Sequence, residues 1–158
     1  MRVGNGFDIH SFETGTQIAL GGVTIPFNRG IRAHSDGDVL LHALIDGILG
    51  AINAGDIGKH FPDDDEKYKD ADSLDLLRHV ETLMSSAGFS LVNMDATIIL
   101  EKPKLSSYLD KMKRNIASVL CCSTDILSIK ATTSERIGFV GRQEGIACLC
   151  SVLVDKIQ

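Results

Sequence analysis

Three residues near the N-terminus have the types and spacing of a metal site. Asp8 and His10 are two apart in an extended-looking segment, so their side chains lie on the same side of a strand. In the run DVLLHALIDGILGAIN, Asp38, His42 and Asp46 recur every fourth residue on an otherwise apolar helix. This polar face must meet other polar groups, because burying an unpartnered carboxylate or imidazole is costly. One carboxylate and two imidazoles suit zinc with one coordination position left open for chemistry.

The run HSDGD directly before this helix has two interpretations, and both stay open. Ser35 or Asp36 could cap the helix, with early acidic residues complementing the helix dipole. A helix N-terminus is also an anion site, where His34 and Ser35 could meet a phosphate. A helical histidine alone is more often a core or surface residue than a ligand, so the combination of residues favours the site.

A second polar group follows the strand-like segment SIKA. Thr132 and Glu135 have the spacing of a capping box, and a helix start would account for both. Alternatively, these residues with Thr133 and Ser134 could bind phosphate and a hard cation such as Mg²⁺ at a strand end. The acidic run 63–65 lacks the spacing of a calcium loop, and scattered glycines such as Gly4 and Gly6 are interpreted as turn residues.

Composition limits the classes of function. The 158 residues fit one domain over 1–158. The net charge of −5 argues against a nucleic-acid partner, and no apolar run approaches the ~20 residues of a membrane span. The N-terminus resembles neither a signal nor a transit peptide, and the four cysteines form no C-x-x-C pair. We therefore expect a cytoplasmic protein with reduced, mostly buried thiols.

The order of predicted elements favours an α+β sandwich, with one mixed sheet and helices packed on one face. A hairpin near the start and roughly two βα crossovers later give this arrangement. A 19-residue loop over 55–73 is long enough to suggest a function. The predicted strands cover 3–10, the hairpin TQIALGGVTIPF, 91–100, 126–131 and 146–154, and the predicted helices cover 38–53, 73–87 and 106–121.

Five motifs in order carry a resemblance to a known family. They read DIH, HSDGDVLLHALID, GDIGKHFPD, EKPK and KATTSERIGFVGRQEGIA, and they span residues 8–147. The chain resembles the 2-C-methyl-D-erythritol 2,4-cyclodiphosphate synthases of the non-mevalonate isoprenoid pathway. The resemblance implies a homotrimer with active sites at the subunit interfaces, in which 4-diphosphocytidyl-2-C-methyl-D-erythritol 2-phosphate is cyclised and CMP is released.

The resemblance also implies roles for particular residues. Asp8, His10 and His42 would bind zinc, Asp8 and His10 would also touch substrate, and Glu135 would bind Mg²⁺ or Mn²⁺ that bridges the phosphates. His34 and Thr133 would steady the transition state, with Ser35 beside the phosphate.

The methylerythritol part would lie against Asp56, Ile57, Gly58, Phe61, Pro62, Asp63, Asp64 and Asp65. The cytidine pocket would consist of Leu100, Glu101, Lys102, Pro103, Lys104, Leu105 and Ser106. The diphosphate would lie near Lys104 and Thr132, and Thr133 and Ser134 would also contact the substrate. Phe139 and Arg142 would lie near the substrate and the trimer axis, where family members have a cavity able to hold an isoprenoid diphosphate.

Two other functions remain open at this point. A zinc-dependent phosphoesterase acting on nucleotides would use the same ligands but would hydrolyse its substrate with solvent water. A non-catalytic module that binds isoprenoid diphosphates would keep its ligand after His42→Ala. The attacking phosphate of the cyclisation is already ionised, so that reaction needs positioning and charge neutralisation more than a protein nucleophile.

Overall fold

The structure is a computed structural model, which describes residues 1–62 and 64–157. Its strands are β1 Arg2–Glu13, β2 Gln17–Leu20, β3 Val23–Pro26, β4 Gly30–Ile31, β5 Phe89–Ile99, β6 Leu127–Thr132 and β7 Gly145–Lys156. Its helices are α1 Val39–Ala51, α2 Ile57–His60, α3 Ser73–Ser86, α4 Leu109–Val119 and α5 Gly138–Gly141. Short 3-10 turns cover Glu66–Tyr68 and Thr124–Ile126.

A mixed five-stranded sheet with the order β4-β1-β7-β5-β6 forms the centre of the molecule. β7 runs antiparallel to both β1 and β5, and β5 and β6 are parallel. The α+β class, the mixed sheet and the β2–β3 hairpin that turns at Gly21 and Gly22 are confirmed. The expectation of two βα crossovers was wrong for the described residues, because only the β5–α4–β6 connection joins parallel strands.

Helix α1 lies across β1 and β7 and supplies much of the core. Eleven of its thirteen residues are buried, so its polar positions must find partners inside the protein. β1 permits this close approach because Gly4 and Gly6 face the helix. A Cβ atom at Gly6 would overlap the carbonyl oxygen of Ala43, and one at Gly4 would overlap that of Gly47. Interpreting these two glycines as turn residues was therefore wrong; they let the helix backbone rest on the strand.

The other face of the sheet presents apolar side chains to solvent. Phe7 and Ile9 of β1 are 56% and 44% exposed, and Leu149 of β7 is 48% exposed. Phe7 and Leu149 are directly paired in the β1–β7 register, so these side chains form one continuous patch. Val3, further along β1, is 67% exposed on the same face. We call Val3, Phe7, Ile9 and Leu149 the open sheet face.

Several element boundaries differ from those expected. α4 begins at Leu109 rather than near residue 106. The loop over 55–73 contains α2 and one 3-10 turn. No helix begins at Thr132, which ends β6, so the capping-box interpretation was wrong. Asp38 caps α1, in place of Ser35 or Asp36. No helix in the described ranges is long and apolar enough to cross a membrane.

Candidate metal centre and nucleotide pocket

The polar face of α1 consists of three residues with three different partners. Asp38 accepts hydrogen bonds from the amides of Leu41 (3.1 Å) and Gly22 (2.8 Å), so it caps the helix and ties the hairpin to it. Asp46 accepts a hydrogen bond from the amide of Ile57 at 2.7 Å and thereby fixes the start of α2. Only His42, between them, points toward Asp8 and His10 of β1.

Asp8, His10 and His42 bring three ligand atoms to one point. The Asp8 Oδ2 atom lies 3.0 Å from His42 Nδ1 and 3.1 Å from His10 Nε2, and the two ring nitrogens are 3.2 Å apart. Nitrogen and oxygen ligands of a tetrahedral ion with bonds of about 2.0 Å are roughly 3.3 Å apart. The three atoms therefore occupy one face of a tetrahedron, and the group can hold a divalent metal with one position free. We call this cluster the metal centre.

Hydrogen bonds outside the cluster orient the histidines. His10 Nδ1 lies 3.1 Å from the carbonyl oxygen of Arg32, which only accepts, so Nδ1 carries the proton and Nε2 presents its lone pair. His42 Nε2 lies 3.0 Å from Ser73 Oγ and 3.2 Å from Ser35 Oγ. Both ring orientations are therefore fixed from the side opposite the cluster.

The charges of the cluster support one another. Burial alone would raise the pKa of Asp8, but hydrogen bonds and charge interactions with His10 and His42 hold that pKa well below its usual value. Burial alone would lower the pKa of His42, but the hydrogen bond and charge of Asp8 outweigh burial, so the pKa of His42 is raised. Asp8 therefore stays anionic beside His42, and a metal cation that binds here would replace the proton that His42 shares with Asp8.

A cavity of about 160 Å³ opens from the metal centre to the surface. His34 and Ser35 line it, and His34 Nε2 lies 3.3 Å from the carbonyl oxygen of Asp65. Of the residues expected to hold methylerythritol, Ile57 and Phe61 line this cavity. Tyr68 and Leu76, which the sequence did not single out, also line it.

The other residues in that group surround the cavity without lining it. Asp56 caps α2 by accepting a hydrogen bond from the amide of Lys59 at 2.9 Å, and Gly58 is exposed in the same helix. Pro62 is half-buried and Asp64 is exposed. Asp65 caps the 3-10 turn over Glu66–Tyr68. Asp63 lies outside the described residues.

A second cavity, of about 250 Å³, lies at the ends of β5 and β6. It brings together most of the residues expected around cytidine and the diphosphate, whereas the exposed Lys102 is not among its lining residues. The lining consists of Leu100, Glu101, Pro103, Lys104, Leu105, Ser106, Leu109, Ala131, Thr132 and Thr133. We call it the nucleotide pocket.

The Glu101 side chain organises the loop beside this pocket. Its Oε1 atom accepts hydrogen bonds from the amides of Ser134 and Arg136 and from the Ser134 hydroxyl, each at 3.1 Å. Hydrogen bonding to the Arg136 amide is the main reason that the pKa of Glu101 is lowered. Glu135 and Arg136 both have positive φ angles, of 53° and 64°, which non-glycine residues rarely adopt. Glu101 thus holds a strained turn, the phosphate loop, defined as residues 132–136.

Within the phosphate loop, Thr133 Oγ1 donates a hydrogen bond to Glu135 Oε1 at 2.8 Å, and both residues are exposed. Phe139 and Arg142 lie beyond it and line neither of the two cavities described above. Arg142 pairs with Glu144 through two hydrogen bonds of 2.8 Å and 3.0 Å, and Phe139 is half-buried in α5. Sequence reasoning placed these two residues near substrate, and the single chain brings neither of them to the metal centre.

Known proteins match this chain over nearly its whole length. A model of the YgbB family matches residues 1–155. This chain is 52% identical to the 2-C-methyl-D-erythritol 2,4-cyclodiphosphate synthase of Geobacillus thermodenitrificans and 54% identical to that of Cellvibrio japonicus. The matches cover 98% and 99% of this chain, and 97% and 98% of those proteins.

Solved structures have the same fold. The bifunctional IspDF from Campylobacter jejuni matches with a TM-score of 0.95 and 43% identity. That match covers 99% of this chain but 42% of the Campylobacter chain, so this chain spans less than half of that protein. IspF from Plasmodium falciparum in a CDP complex matches with a TM-score of 0.87 and 32% identity, covering 99% and 97% of the two chains.

Proposed function

The chain belongs to the YgbB family, and we propose that it is a 2-C-methyl-D-erythritol 2,4-cyclodiphosphate synthase. Its substrate is 4-diphosphocytidyl-2-C-methyl-D-erythritol 2-phosphate, and its products are the cyclic diphosphate and CMP. The observation that carries this proposal is that one chain holds both a three-ligand metal centre and the nucleotide pocket. Relatives that bear this name match nearly the whole of the chain. The comparisons do not favour the zinc phosphoesterase.

In the proposed reaction, an oxygen of the 2-phosphate attacks the β-phosphorus of the diphosphate. The bond from that phosphorus to the oxygen of the CMP phosphate breaks, and CMP leaves with the electron pair. Both groups belong to one substrate molecule, so the protein must fold the substrate into a reactive conformation and offset its charge. This requirement agrees with a site of hydroxyls, imidazoles and backbone amides that has no nucleophile activated by a base.

The metal centre takes zinc in this proposal, because two imidazoles, one carboxylate and a free fourth position are typical of catalytic zinc. Glu135 holds Mg²⁺ or Mn²⁺ together with the substrate phosphates, since an exposed carboxylate and phosphate oxygens are hard ligands. When bound, the two cations would polarise phosphate oxygens and offset the charge that moves to CMP.

The remaining contacts divide the substrate between the two cavities. The methylerythritol group lies beside Ile57 and Phe61, near the metal centre, with Asp56 and the 61–65 segment around it. Cytidine occupies the nucleotide pocket, and Lys104, Thr132 and Thr133 meet the diphosphate at its edge. His34 donates a hydrogen bond to a phosphate oxygen as charge develops there, with Ser35 beside it.

A homotrimer with sites between subunits fits the surface of the single chain. The open sheet face exposes four large apolar side chains, and large exposed apolar patches mark interaction sites. We propose that this face packs against two further copies around a common axis, with Phe139 and Arg142 near that axis. We also propose that a cavity on this axis holds an isoprenoid diphosphate and that the protein is cytoplasmic.

Replacing one side chain on the open sheet face tests the assembly. We expect Phe7→Glu to convert a trimer into monomers, because a charge in the centre of a buried apolar face lacks a partner. Light scattering after size-exclusion chromatography measures the mass, and Lys69→Glu, which places the same charge on an exposed loop, is the control. A trimeric Phe7→Glu variant would remove this face from the interface.

Phosphorus NMR tests the reaction. The purified protein is incubated with the cytidine diphospho substrate and Mg²⁺, before and after zinc is removed by a chelator. We expect signals of the cyclic diphosphate and CMP, which disappear on chelation and return with added zinc. Release of a linear phosphate carrying labelled solvent oxygen would instead identify a phosphoesterase, and no turnover would leave a binding role.

A further inference from the structure

Behind the metal centre, three polar residues form a chain that leads away from it. Within the described residues, the fully or nearly fully buried polar side chains are Asp38, His42 and Ser73. Asp38 already caps α1 and accepts a hydrogen bond from the hairpin. His42 and Ser73 contact each other. Asp36 lies next in line, with its Oδ1 atom 2.5 Å from Ser73 Oγ. We call Asp36 and Ser73 the supporting pair.

The direction of the hydrogen bonds in this chain follows from the groups present. An ionised carboxylate only accepts, so the single hydroxyl proton of Ser73 is donated to Asp36. The Ser73 oxygen then has only lone pairs left for His42 Nε2, 3.0 Å away. His42 Nε2 must therefore be the donor, so Nε2 carries a proton and Nδ1 is the ring nitrogen left to bind a metal.

The supporting pair is itself rigid. The second carboxylate oxygen of Asp36 accepts a hydrogen bond from the Ser73 amide at 2.9 Å, and Oδ1 also accepts one from the Asp38 amide at 3.1 Å. Ser73 is the first residue of α3 and is fully buried. Ser35 also lies 3.2 Å from His42 Nε2, but it lines the open cavity, and its hydroxyl proton is not committed to a carboxylate.

We infer that Asp36 and Ser73 are positioning residues for the metal centre, which hold His42 as the tautomer with a bare Nδ1 facing Asp8 and His10. This inference rests on the proposed function, because a bare Nδ1 matters there only if a metal binds. A ligating histidine generally donates its other ring N–H to a fixed acceptor, and losing that acceptor typically weakens metal binding by roughly 10- to 100-fold.

Zinc affinity tests the inference without reference to turnover. The probe is zinc alone, in competition with a chromogenic chelator. We expect Ser73→Ala to weaken binding by roughly 10- to 100-fold. The control is Asp72→Ala, which removes the cap of α3 next to Ser73 without touching His42 and should bind zinc like the wild type. Equal affinity of Ser73→Ala and wild type, or an equal loss in both variants, would overturn the inference.

A second readout is nitrogen NMR of the histidine rings in protein saturated with zinc. We expect the wild type to show a protected Nε2 proton on His42, because Ser73 accepts it, and Ser73→Ala to lose that signal to exchange with water. If Ser73→Ala does not fold, Asp36→Asn decides, because its amide meets a donor in either orientation and disturbs the same bonds. An equally protected Nε2 proton in the folded variant would contradict the inference. A wild-type protein that binds no zinc would instead contradict the proposed function.

Discussion

The metal centre and the phosphate loop are built in opposite ways. In the metal centre, β1 and α1 supply the ligands, and the partners that orient the two histidines come from other segments of the chain, including the buried Ser73. In the phosphate loop, Thr133 and Glu135 are exposed, and one carboxylate, Glu101, accepts two backbone hydrogen bonds and one from the Ser134 hydroxyl. The three ligands of the first region come from one chain, whereas the second region faces solvent.

This difference predicts how each region responds to substitution. A metal site that uses three protein ligands, each on a regular element, cannot replace a missing ligand, so its losses are close to complete. An exposed loop has neighbours that can shift and water that can replace lost partners, so its losses are graded. Zinc affinity should separate the two regions, because the proposed function assigns zinc to the metal centre alone.

The largest effect should come from the ligands themselves. We expect Asp8→Asn and His42→Ala each to abolish zinc binding and turnover while the fold stays intact, because one of three protein ligands is lost. Metal analysis, circular dichroism and phosphorus NMR measure the three properties. Glu135→Gln is the control from the other region. This variant should bind zinc like the wild type, and its turnover should depend less on added Mg²⁺ or Mn²⁺. Full activity in either ligand variant would disprove the metal assignment.

The next effect concerns the contact that brings α1 onto β1. We expect Gly6→Ala to lower the free energy of unfolding by at least roughly 1–3 kcal/mol, because the added methyl group overlaps the Ala43 carbonyl and pushes the helix away. His42 moves with the helix, so zinc affinity should fall as well. Gly50→Ala is the matched control, since a Cβ there meets no atom within 4 Å and alanine favours a helix. Equal stability of the two variants would exclude this close contact.

A smaller effect should follow from loosening the phosphate loop. We expect Glu101→Ala to lower kcat/KM on the order of tenfold, because the strained turn at Glu135 and Arg136 loses its acceptor. Zinc affinity should remain that of the wild type. Steady-state kinetics and the chelator competition measure these quantities, and Glu101→Gln, which keeps one oxygen acceptor, should be less affected. A loss of zinc affinity in Glu101→Ala would mean that the two regions are coupled.

The two regions also differ in how much the sequence predicts. Local spacing was enough for Asp8 and His10, which share a strand face, and for His42 on the polar face of a helix. Partners distant in sequence were not predictable in this way. Ser73 lies 31 residues after His42, and Glu101 lies 35 residues before Arg136. Gly6 has the appearance of a turn residue until α1 is placed on it, because close backbone contact leaves no periodic pattern.

The smallest effect is a pH dependence that arises beside the metal centre. Burial, followed by the charge of Asp36, raises the pKa of Asp38 to about 6, well above the usual value of 3.8 for an aspartate. The folded state therefore retains a proton that the unfolded state releases, so stability from this group is complete below about pH 4 and is lost as pH rises to about 6. The lowered pKa of Asp8 acts in the opposite direction and only below pH 3.8.

Urea unfolding of zinc-free protein between pH 4 and pH 6 measures this dependence, since a chelator removes the separate effect of pH on metal binding. Asp38→Asn cannot titrate, so its stability relative to the wild type should improve steadily across this range. The variant should be less stable overall, because an amide cannot accept from both Gly22 and Leu41. A constant difference between wild type and variant across this range would show that Asp38 stays ionised, held by its backbone donors despite its burial.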